Sequence, residues 1–283
     1  MSMSINTNAG AEFASIAAQR AAAMMDEAML RLSTGKRINS AKDDAAGMAV
    51  ATRLAKEIAG LGQALRNAND AQGLIDTGEA ALKEVHTLLL RMREIAVSAS
   101  SDTNTDADRA ALDTEVTALE TEISRIGDQT SWGGKNILNG THDKDNPIRF
   151  HLGPTATNFI DVTLGVVSIA ARGSDLQGSL SLTGSVSSRA NAVSYIAGID
   201  AAISIISARR GNFGAVSNRL SSAITNLETM KSSMVTAKGQ VEDANYAEET
   251  AKLARAQILM QAATAMLAQA NASKNATLKL VTG

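Results

Sequence analysis

The chain has 283 residues, 27 basic and 29 acidic side chains, no cysteine, and aromatic residues at only 2%. The near-neutral charge provides no basic field to attract nucleic acid. The absence of cysteine excludes disulfides, thiolate metal sites and cysteine-based catalysis. Small aliphatic side chains must supply the buried surface, which suits close packing between helices.

Neither a cleaved secretory signal nor membrane insertion is expected. Residues 1–10 lack a basic stretch followed by an apolar run. The most apolar long stretch, residues 253–270, contains Arg255 and three glutamines, which makes it a poor membrane span.

Helix breakers are concentrated in the middle of the chain. Both prolines, Pro147 and Pro154, and nine of the 21 glycines lie within residues 127–184. Both flanks are therefore free to form long helices. We predict a mainly α fold with an irregular middle.

The first predicted helix carries an alanine-rich heptad stripe. Its members are Ala14, Ala18, Ala21, Met25, Ala28 and Leu32. The next helix begins near the adjacent carboxylates Asp43 and Asp44, for which we expect no catalytic role because no facing partner is evident. We interpret Ser40 as the helix cap and Asp43 as the residue that completes a capping box.

Three further segments have the alternating three- and four-residue spacing of a coiled-coil seam. These are Leu54, Ile58, Leu61, Leu65, Ala68, Gln72 and Ile75, then Ala81, Val85, Leu88, Met92, Ile95 and Ala99; Leu112, Val116, Leu119, Ile123 and Ile126; and Phe213, Val216, Leu220, Ala223, Leu227, Met230, Met234, Ala237 and Val241. A helix over residues 45–99 would be about 80 Å long. That length predicts a rod.

The segment between the first two rod helices predicts a turn at residues 102–106, rich in Asp, Asn and Thr. The helix over residues 102–128 holds eight acids against Arg109 and Arg125. It should be closed by the glycines of residues 127–140, which are Gly127, Gly133, Gly134 and Gly140. Its acidic side is either a solvated face or a surface complementary to basic residues of a neighbouring copy.

Residues 148–164 change to a period of two. Ile148, Phe150 and Leu152 alternate with polar residues, and Ile160, Val162 and Leu164 do the same. This pattern predicts a β-hairpin with one buried face, joined by residues 153–158. Residues 165–189 give no clear prediction.

The last predicted helix carries a second stripe: Leu253, Ala256, Met260, Ala263, Leu267 and Ala270. It is also apolar outside that stripe, at Ile258, Leu259 and Met266, so part of its surface needs a cover. Either the terminal helices form a pair that frays at the end of a rod, or other copies of the chain cover them. We favour the second interpretation, which generates an open helical filament.

No enzyme or metal site is predicted. The three histidines, His86, His142 and His151, are not at metal-ligand spacing, and no phosphate-binding loop is present. No cofactor is expected. The three sequences that match glycosylation sequons, at Asn139, Asn271 and Asn275, are interpreted as chance matches.

Collinear motifs in both halves resemble bacterial flagellins. In the N-terminal half they are INTN at residues 5–8, LRLSTGKRINSAKDDAAGMAVA at 30–51, RNAND at 66–70, RMREIAV at 91–97 and QTSWGG at 129–134. In the C-terminal half they are GAVSNRL at 214–220, EDANYA at 242–247, RAQIL at 255–259 and LAQAN at 267–271. The middle resembles a short form without large outer domains.

The resemblance implies a non-enzymatic, secreted subunit that polymerises with itself into the flagellar filament. It implies an inner filament-core domain from residues 1–44 and 243–283, and a rod domain from 45–140 and 191–242. Residues 141–190 would form the hairpin and a short variable middle. The terminal-helix residues Ala14, Ala18, Ala21, Met25, Leu32, Leu253, Met260 and Leu267 are the predicted self-assembly residues. The alternative is a hook–filament junction protein with similar ends.

The resemblance also implies partners: the flagellar export apparatus, an export chaperone, and hook-associated and cap proteins. Arg91, Ile95 and Glu115 match the surface that an animal innate receptor reads in this family, although packing between subunits would also explain them. Residues 30–51 resemble the segment that plants detect. The family's two protofilament packings imply a switch, for which our hypothesis is a hinge at the hairpin.

Overall fold

The computed structural model describes residues 7–140, 142, 147–153, 158–164, 167, 182 and 184–282. Within these residues the helices and strands are α1 Ala9–Thr34, α2 Ala45–Ala99, α3 Asp106–Gln129, β1 Ser131–Trp132, β2 Lys135–Asn136, β3 Ile148–His151, β4 Phe159–Val162, α4 Arg189–Glu242 and α5 Tyr246–Thr282. The predicted mainly α fold with a small β region is confirmed.

The chain divides into two compact units. Unit 1 contains Met1–Ile58 and Ser233–Gly283, and unit 2 contains Ala59–Ser232. The units divide within α2 and α4, each of which continues through the boundary as one helix. The sequence prediction placed its domain divisions at residues 44–45 and 242–243, and these stay a prediction.

The core of unit 2 combines residues of the predicted heptad stripes with residues outside them. Its largest fully buried side chains include two stripe residues, Met92 of α2 and Ile123 of α3. They also include Leu82 and Leu89 of α2 and Ile199 of α4, which the predicted stripes left out. The 3,4 spacing therefore identified part of each packed face, and the stripe residues are buried or half-buried. Met230 is the exception among the stripe residues, at 40% exposed.

Helix α4 is long and apolar enough, by length and composition alone, to cross a membrane. Core helices of soluble proteins also meet this criterion, so it is weak evidence for a membrane span. In unit 2 the apolar side chains Tyr195, Ile199 and Ile206 of α4 are buried. The Tyr195 hydroxyl donates to Glu120 of α3. Burial is the main cause that raises the pKa of Tyr195, and this hydrogen bond is the second.

Arg109 ties the end of α2 to the start of α3. Its Nε donates to the Ala99 carbonyl at 3.0 Å and an Nη atom donates to the Ser101 carbonyl at 2.9 Å. Arg109 is only 7% exposed, so these bonds satisfy carbonyls that the helix end leaves free. Thr105 caps α3 in a capping box with Asp108, which agrees with the predicted turn.

Gly127 lies inside α3, which continues to Gln129, and the prediction that it helps to close this helix is wrong. A Cβ at this position would lie 1.7 Å from the carbonyl oxygen of Val167. Gly127 is needed for that close approach of two backbones. The chain turns at Gly133 and Gly134, two others of the predicted closing glycines, whose φ angles of 57° and 80° allow β1 to pair with β2.

Strands β3 and β4 form the predicted antiparallel hairpin. Ile148 pairs with Val162 and His151 with Phe159. Val162 is fully buried, whereas His151 is exposed, so one face of the hairpin packs on the core as expected. Residues 154–157 of the predicted loop lie outside the described residues. The hinge hypothesis for this hairpin stays a prediction.

The start of α2 in unit 1 differs from the prediction. Asp44 caps the helix, because its Oδ1 accepts from the backbone N–H of Gly47 at 2.8 Å. Asp43 instead accepts from the N–H groups of Ser40 and Asn39, which hold the preceding turn and lower the pKa of Asp43. The prediction that Ser40 is the cap is wrong. Ser40, Asp43 and Asp44 all precede the helix and all are residue types that cap helices, so the sequence alone did not distinguish among them.

Candidate assembly site

Helices α1 and α5 form an antiparallel pair in unit 1. Near the start of α1, the Asn8 side chain donates to the Ala270 carbonyl at 3.2 Å. At the other end of α1, the Tyr246 hydroxyl donates to the Leu32 carbonyl at 3.0 Å. These two contacts fix the register of the pair.

The two predicted alanine-rich stripes meet in the seam of this pair. Ala21 and Ala28 of α1 are each 2% exposed, and Ala256 and Ala263 of α5 are 1% and 6% exposed. Such small side chains let helix axes approach closely. Of the eight predicted assembly residues, Ala21 lies in this seam. The other seven, Ala14, Ala18, Met25, Leu32, Leu253, Met260 and Leu267, are buried or half-buried in their helices.

The structure therefore brings together the eight residues predicted for self-assembly, but they cover one another within a single chain. Their packing explains how the pair forms. It leaves a different set of apolar side chains on the surface of unit 1. They include Phe13, Ile16, Met24, Met29, Leu30, Ile258, Leu259 and Met266, which are between 38% and 74% exposed.

Part of this set lines an open groove of about 730 Å³ on one side of the pair. Phe13 and Met24 of α1 form one wall, and Leu259 and Met266 of α5 form the other. Among the described residues that line it, Arg20 is the one with a charge. Phe13 is 74% exposed and Met266 is 63% exposed, which is costly for large apolar side chains in water.

A charged cluster follows the groove along the same side. Glu249, only 4% exposed, accepts from Lys252 at 2.9 Å and lies 3.4 Å from an Nη atom of Arg31. Arg31 also pairs with Glu27 at 2.6 Å. Burial raises the pKa of Glu249, but the hydrogen bond and charge of Lys252, together with Arg31, outweigh it and leave the pKa lowered.

The segment after α1 is tied to the segment before α5. Gly35 ends α1 with φ of 70°, and its carbonyl accepts from the Ala244 N–H at 3.0 Å. Lys36 forms a β-bridge with Asp243, and its Nζ lies 2.5 Å from Glu242. The hydrogen bond from Lys36 lowers the pKa of Glu242. These bonds hold the end of α1 against the segment that leads into α5.

The residues that match a receptor surface lie in unit 2. Arg91 and Glu115 form an exposed ion pair at 2.9 Å. Ile95 is 3% exposed and belongs to the core, because it occupies a position in the heptad stripe of α2. Of the three residues, only Arg91 and Glu115 present their side chains to solvent.

The acidic side of α3 is largely engaged within unit 2. Glu122 pairs with Arg125, and Asp113 accepts from the backbone N–H of Val186 at 2.7 Å. Glu115 pairs with Arg91, and Glu120 accepts from Tyr195. Most acids of α3 therefore have a partner within the chain and do not require one from a neighbouring copy. Within the described residues, no group of three His, Asp or Glu side chains could hold a metal ion.

The sequence interpretation missed the groove residues Phe13 and Met24 and the buried Glu249. A signal was present for the first two, because both are large apolar residues of α1 outside its alanine stripe. Glu249 carried no such signal. Its charge is satisfied in the structure by Arg31 of α1 and Lys252 of α5.

Comparison with known families gives two matches that together span most of the chain. The bacterial flagellin N-terminal helical region matches residues 5–143, and the C-terminal helical region matches residues 196–281. A flagellin from Halalkalibacterium halodurans is 38% identical over 255 residues, spanning 90% of this chain and 91% of the relative.

The chain belongs to the bacterial flagellin family. Polar flagellin F of Vibrio parahaemolyticus is 27% identical, spanning 99% of this chain and 100% of that relative. The crystal structure of Bacillus cereus flagellin has a TM-score of 0.48 and 30% identity, covering 57% of this chain and 88% of the other.

Membership of this family establishes the function that the sequence predicted. The chain is a structural subunit, not an enzyme, and it polymerises into the extracellular flagellar filament used for swimming. The alternative of a hook–filament junction protein is not favoured by these similarities.

Proposed function

We propose that the α1–α5 pair of unit 1 is the element through which this subunit polymerises, and that neighbouring copies cover its exposed apolar groove. The observation that supports this proposal is the exposure of Phe13, Met24, Leu259 and Met266 along one side of the pair. Burying one such side chain stabilises a contact by about 1.5–3 kcal/mol. Repeated in every subunit, that gain favours the polymer.

The predicted assembly residues act indirectly in this proposal. Ala21 packs the pair together with the other seam alanines, Ala28, Ala256 and Ala263, and this packing gives the groove its two walls. The groove residues then make the contacts between copies. The inner filament core that the resemblance implies, residues 1–44 and 243–283, falls within unit 1.

A matched pair of substitutions on α5 tests this role. Met266→Glu places a charge in the groove, whereas Gln261→Glu places the same charge on an exposed polar position of the same helix. Glutamate is a good helix former, so neither change should break α5. We expect Met266→Glu to raise the critical concentration for polymerisation by tenfold or more, on the order of 1.4 kcal/mol. Gln261→Glu should stay close to wild type.

Sedimentation of seeded polymerisation reactions, followed by electron microscopy of the pellets, measures both variants. Circular dichroism of the soluble chains controls for loss of helix. Equal polymerisation of the two variants would remove the groove from the assembly mechanism, even though the chain remains a filament subunit.

The finer partners are also proposals. From the family resemblance we infer that the chain reaches the filament through the flagellar export apparatus with an export chaperone, and meets hook-associated and cap proteins at the filament ends. Pull-down of an export chaperone by the soluble chain, with a chain lacking residues 246–283 as the comparison, tests the chaperone contact. Equal capture would place that contact outside α5.

Recognition by a host innate receptor is a second candidate, supported by the exposed Arg91–Glu115 pair. Because Ile95 is buried, its contribution would be to hold the helices that carry this pair. Reversing the charge at Arg91 should weaken receptor signalling by the soluble chain. The same reversal at the exposed Arg66 of α2 should not.

A further inference from the structure

The outer side of α1 presents an apolar ridge away from the seam. Ile16, Ala23 and Leu30 recur every seven residues, each two positions after a seam alanine. Two residues correspond to about 200° around a helix, so this ridge lies opposite the seam. Ile16 is 38% exposed and Leu30 is 51% exposed. One subunit therefore carries both a groove and a ridge, on different sides.

Two unpaired charges accompany these surfaces. Arg20 lines the groove, and Asp26 lies beside the ridge; both are exposed, and among the described residues neither has an ion-pair or hydrogen-bond partner. Aspartate is unfavourable in the interior of a helix. Position 26 is also far from the N-terminus of α1, where the helix dipole would favour an acid. No contact with another described residue of its own chain accounts for Asp26.

The lengths and positions of the two surfaces agree. The α1 wall of the groove extends from Gly10 to Met24, and the ridge extends from Ile16 to Leu30; both spans are about 21 Å. Arg20 lies ten residues after the first wall residue, and Asp26 lies ten residues after the first ridge residue. Aligning the two surfaces in parallel therefore places Asp26 level with Arg20.

We propose that the α1 ridge of one subunit packs into the α1–α5 groove of a second copy, with Asp26 forming an ion pair with that copy's Arg20. This inference rests on the proposed assembly role of the pair and specifies its partner surface and register. The contact is heterologous, so each added copy presents a new groove and the assembly stays open. The two copies are displaced along the helix by about six residues, or about 9 Å.

Charge reversal and rescue in the full-length chain test the ion pair. Arg20→Glu should raise the critical concentration for polymerisation about tenfold, and Asp26→Arg should do the same, because each variant sets like charges against each other. The double variant Arg20→Glu with Asp26→Arg should return to within about threefold of wild type. The control is Arg53→Glu at an exposed, unpaired position of α2, expected to change little.

The outcomes separate this inference from the proposed function. If Met266→Glu blocks polymerisation but the double charge variant shows no rescue beyond additivity, the groove stands and the Arg20–Asp26 register is overturned. Polymerisation of Arg20→Glu at the wild-type concentration overturns it as well. If Met266→Glu polymerises normally, the groove itself is not an assembly surface.

Discussion

Replacing one glycine in α3 and one in α4 by alanine should change stability in opposite directions. Gly127 of α3 is buried against Val167, and the added Cβ would lie 1.7 Å from a backbone carbonyl oxygen. Gly211 of α4 is exposed, with nothing within 4 Å of an added Cβ. Both glycines lie within helices of unit 2, so the gain in helix propensity is the same.

The structure gives the size of each effect. Alanine in place of glycine in a helix stabilises by about 1 kcal/mol, which is the whole effect expected at Gly211. At Gly127 the backbone of Val167 must move, which breaks its 2.7 Å hydrogen bond to the Leu138 carbonyl. Overpacking costs about 1–3 kcal/mol and the hydrogen bond about 1 kcal/mol, so a net loss of about 2 kcal/mol remains.

Thermal unfolding followed by far-ultraviolet circular dichroism measures both changes. We expect the Tm to rise by about 3 °C for Gly211→Ala and to fall by about 6 °C for Gly127→Ala. A Gly127→Ala variant as stable as wild type would show that α3 does not pack against Val167 as described. A loss of stability for Gly211→Ala would contradict the open surroundings of that residue.

Three further predictions concern single side chains. Arg109→Met should destabilise unit 2 by about 2–3 kcal/mol in urea unfolding, because it leaves the Ala99 carbonyl at the end of α2 without its donor; an unchanged midpoint would contradict this capping role. Gly73→Ala should displace the ring of Trp132, since the added Cβ would lie 2.8 Å from it, and should therefore shift the emission of the single tryptophan at little cost in stability; an unshifted spectrum would contradict the contact. Because the pKa of Glu249 is lowered, its charge stabilises the helix pair fully at any pH above the ordinary carboxyl pKa of 4.5. This stabilisation is lost as the pH falls through the lowered pKa. Glu249→Gln should thus make polymers less stable at neutral pH and less sensitive to acid in sedimentation assays, and an unchanged acid dependence would count against this cluster.

Local helix geometry made much of the fold predictable. The seam of the α1–α5 pair followed from alanine spacing, because residues three and four apart share one face of any helix. Residues such as Ala21 and Ala256 were therefore identified without knowledge of the partner helix. The β3–β4 hairpin followed in the same way from its period of two.

The remaining features depend on contacts distant in sequence. The role of Gly127 requires Val167, forty residues later, and the burial of Glu249 requires Arg31 on another helix. The groove depends on how α1 and α5 turn about their shared seam, which left Phe13 and Met24 on its wall. Spacing identifies the face that packs within a chain, but it does not reveal which exposed face a second copy covers.

The absence of cysteine allows the central claim to be tested at one atom. Met266→Cys would introduce the only thiol of the chain, at a position that is 63% exposed in the single subunit. Its reaction with a maleimide should be rapid in soluble subunits and slower by about tenfold or more in polymer, because a covered thiol is not accessible. Equal labelling rates in subunits and polymer would contradict the claim that neighbouring copies cover the groove of the α1–α5 pair.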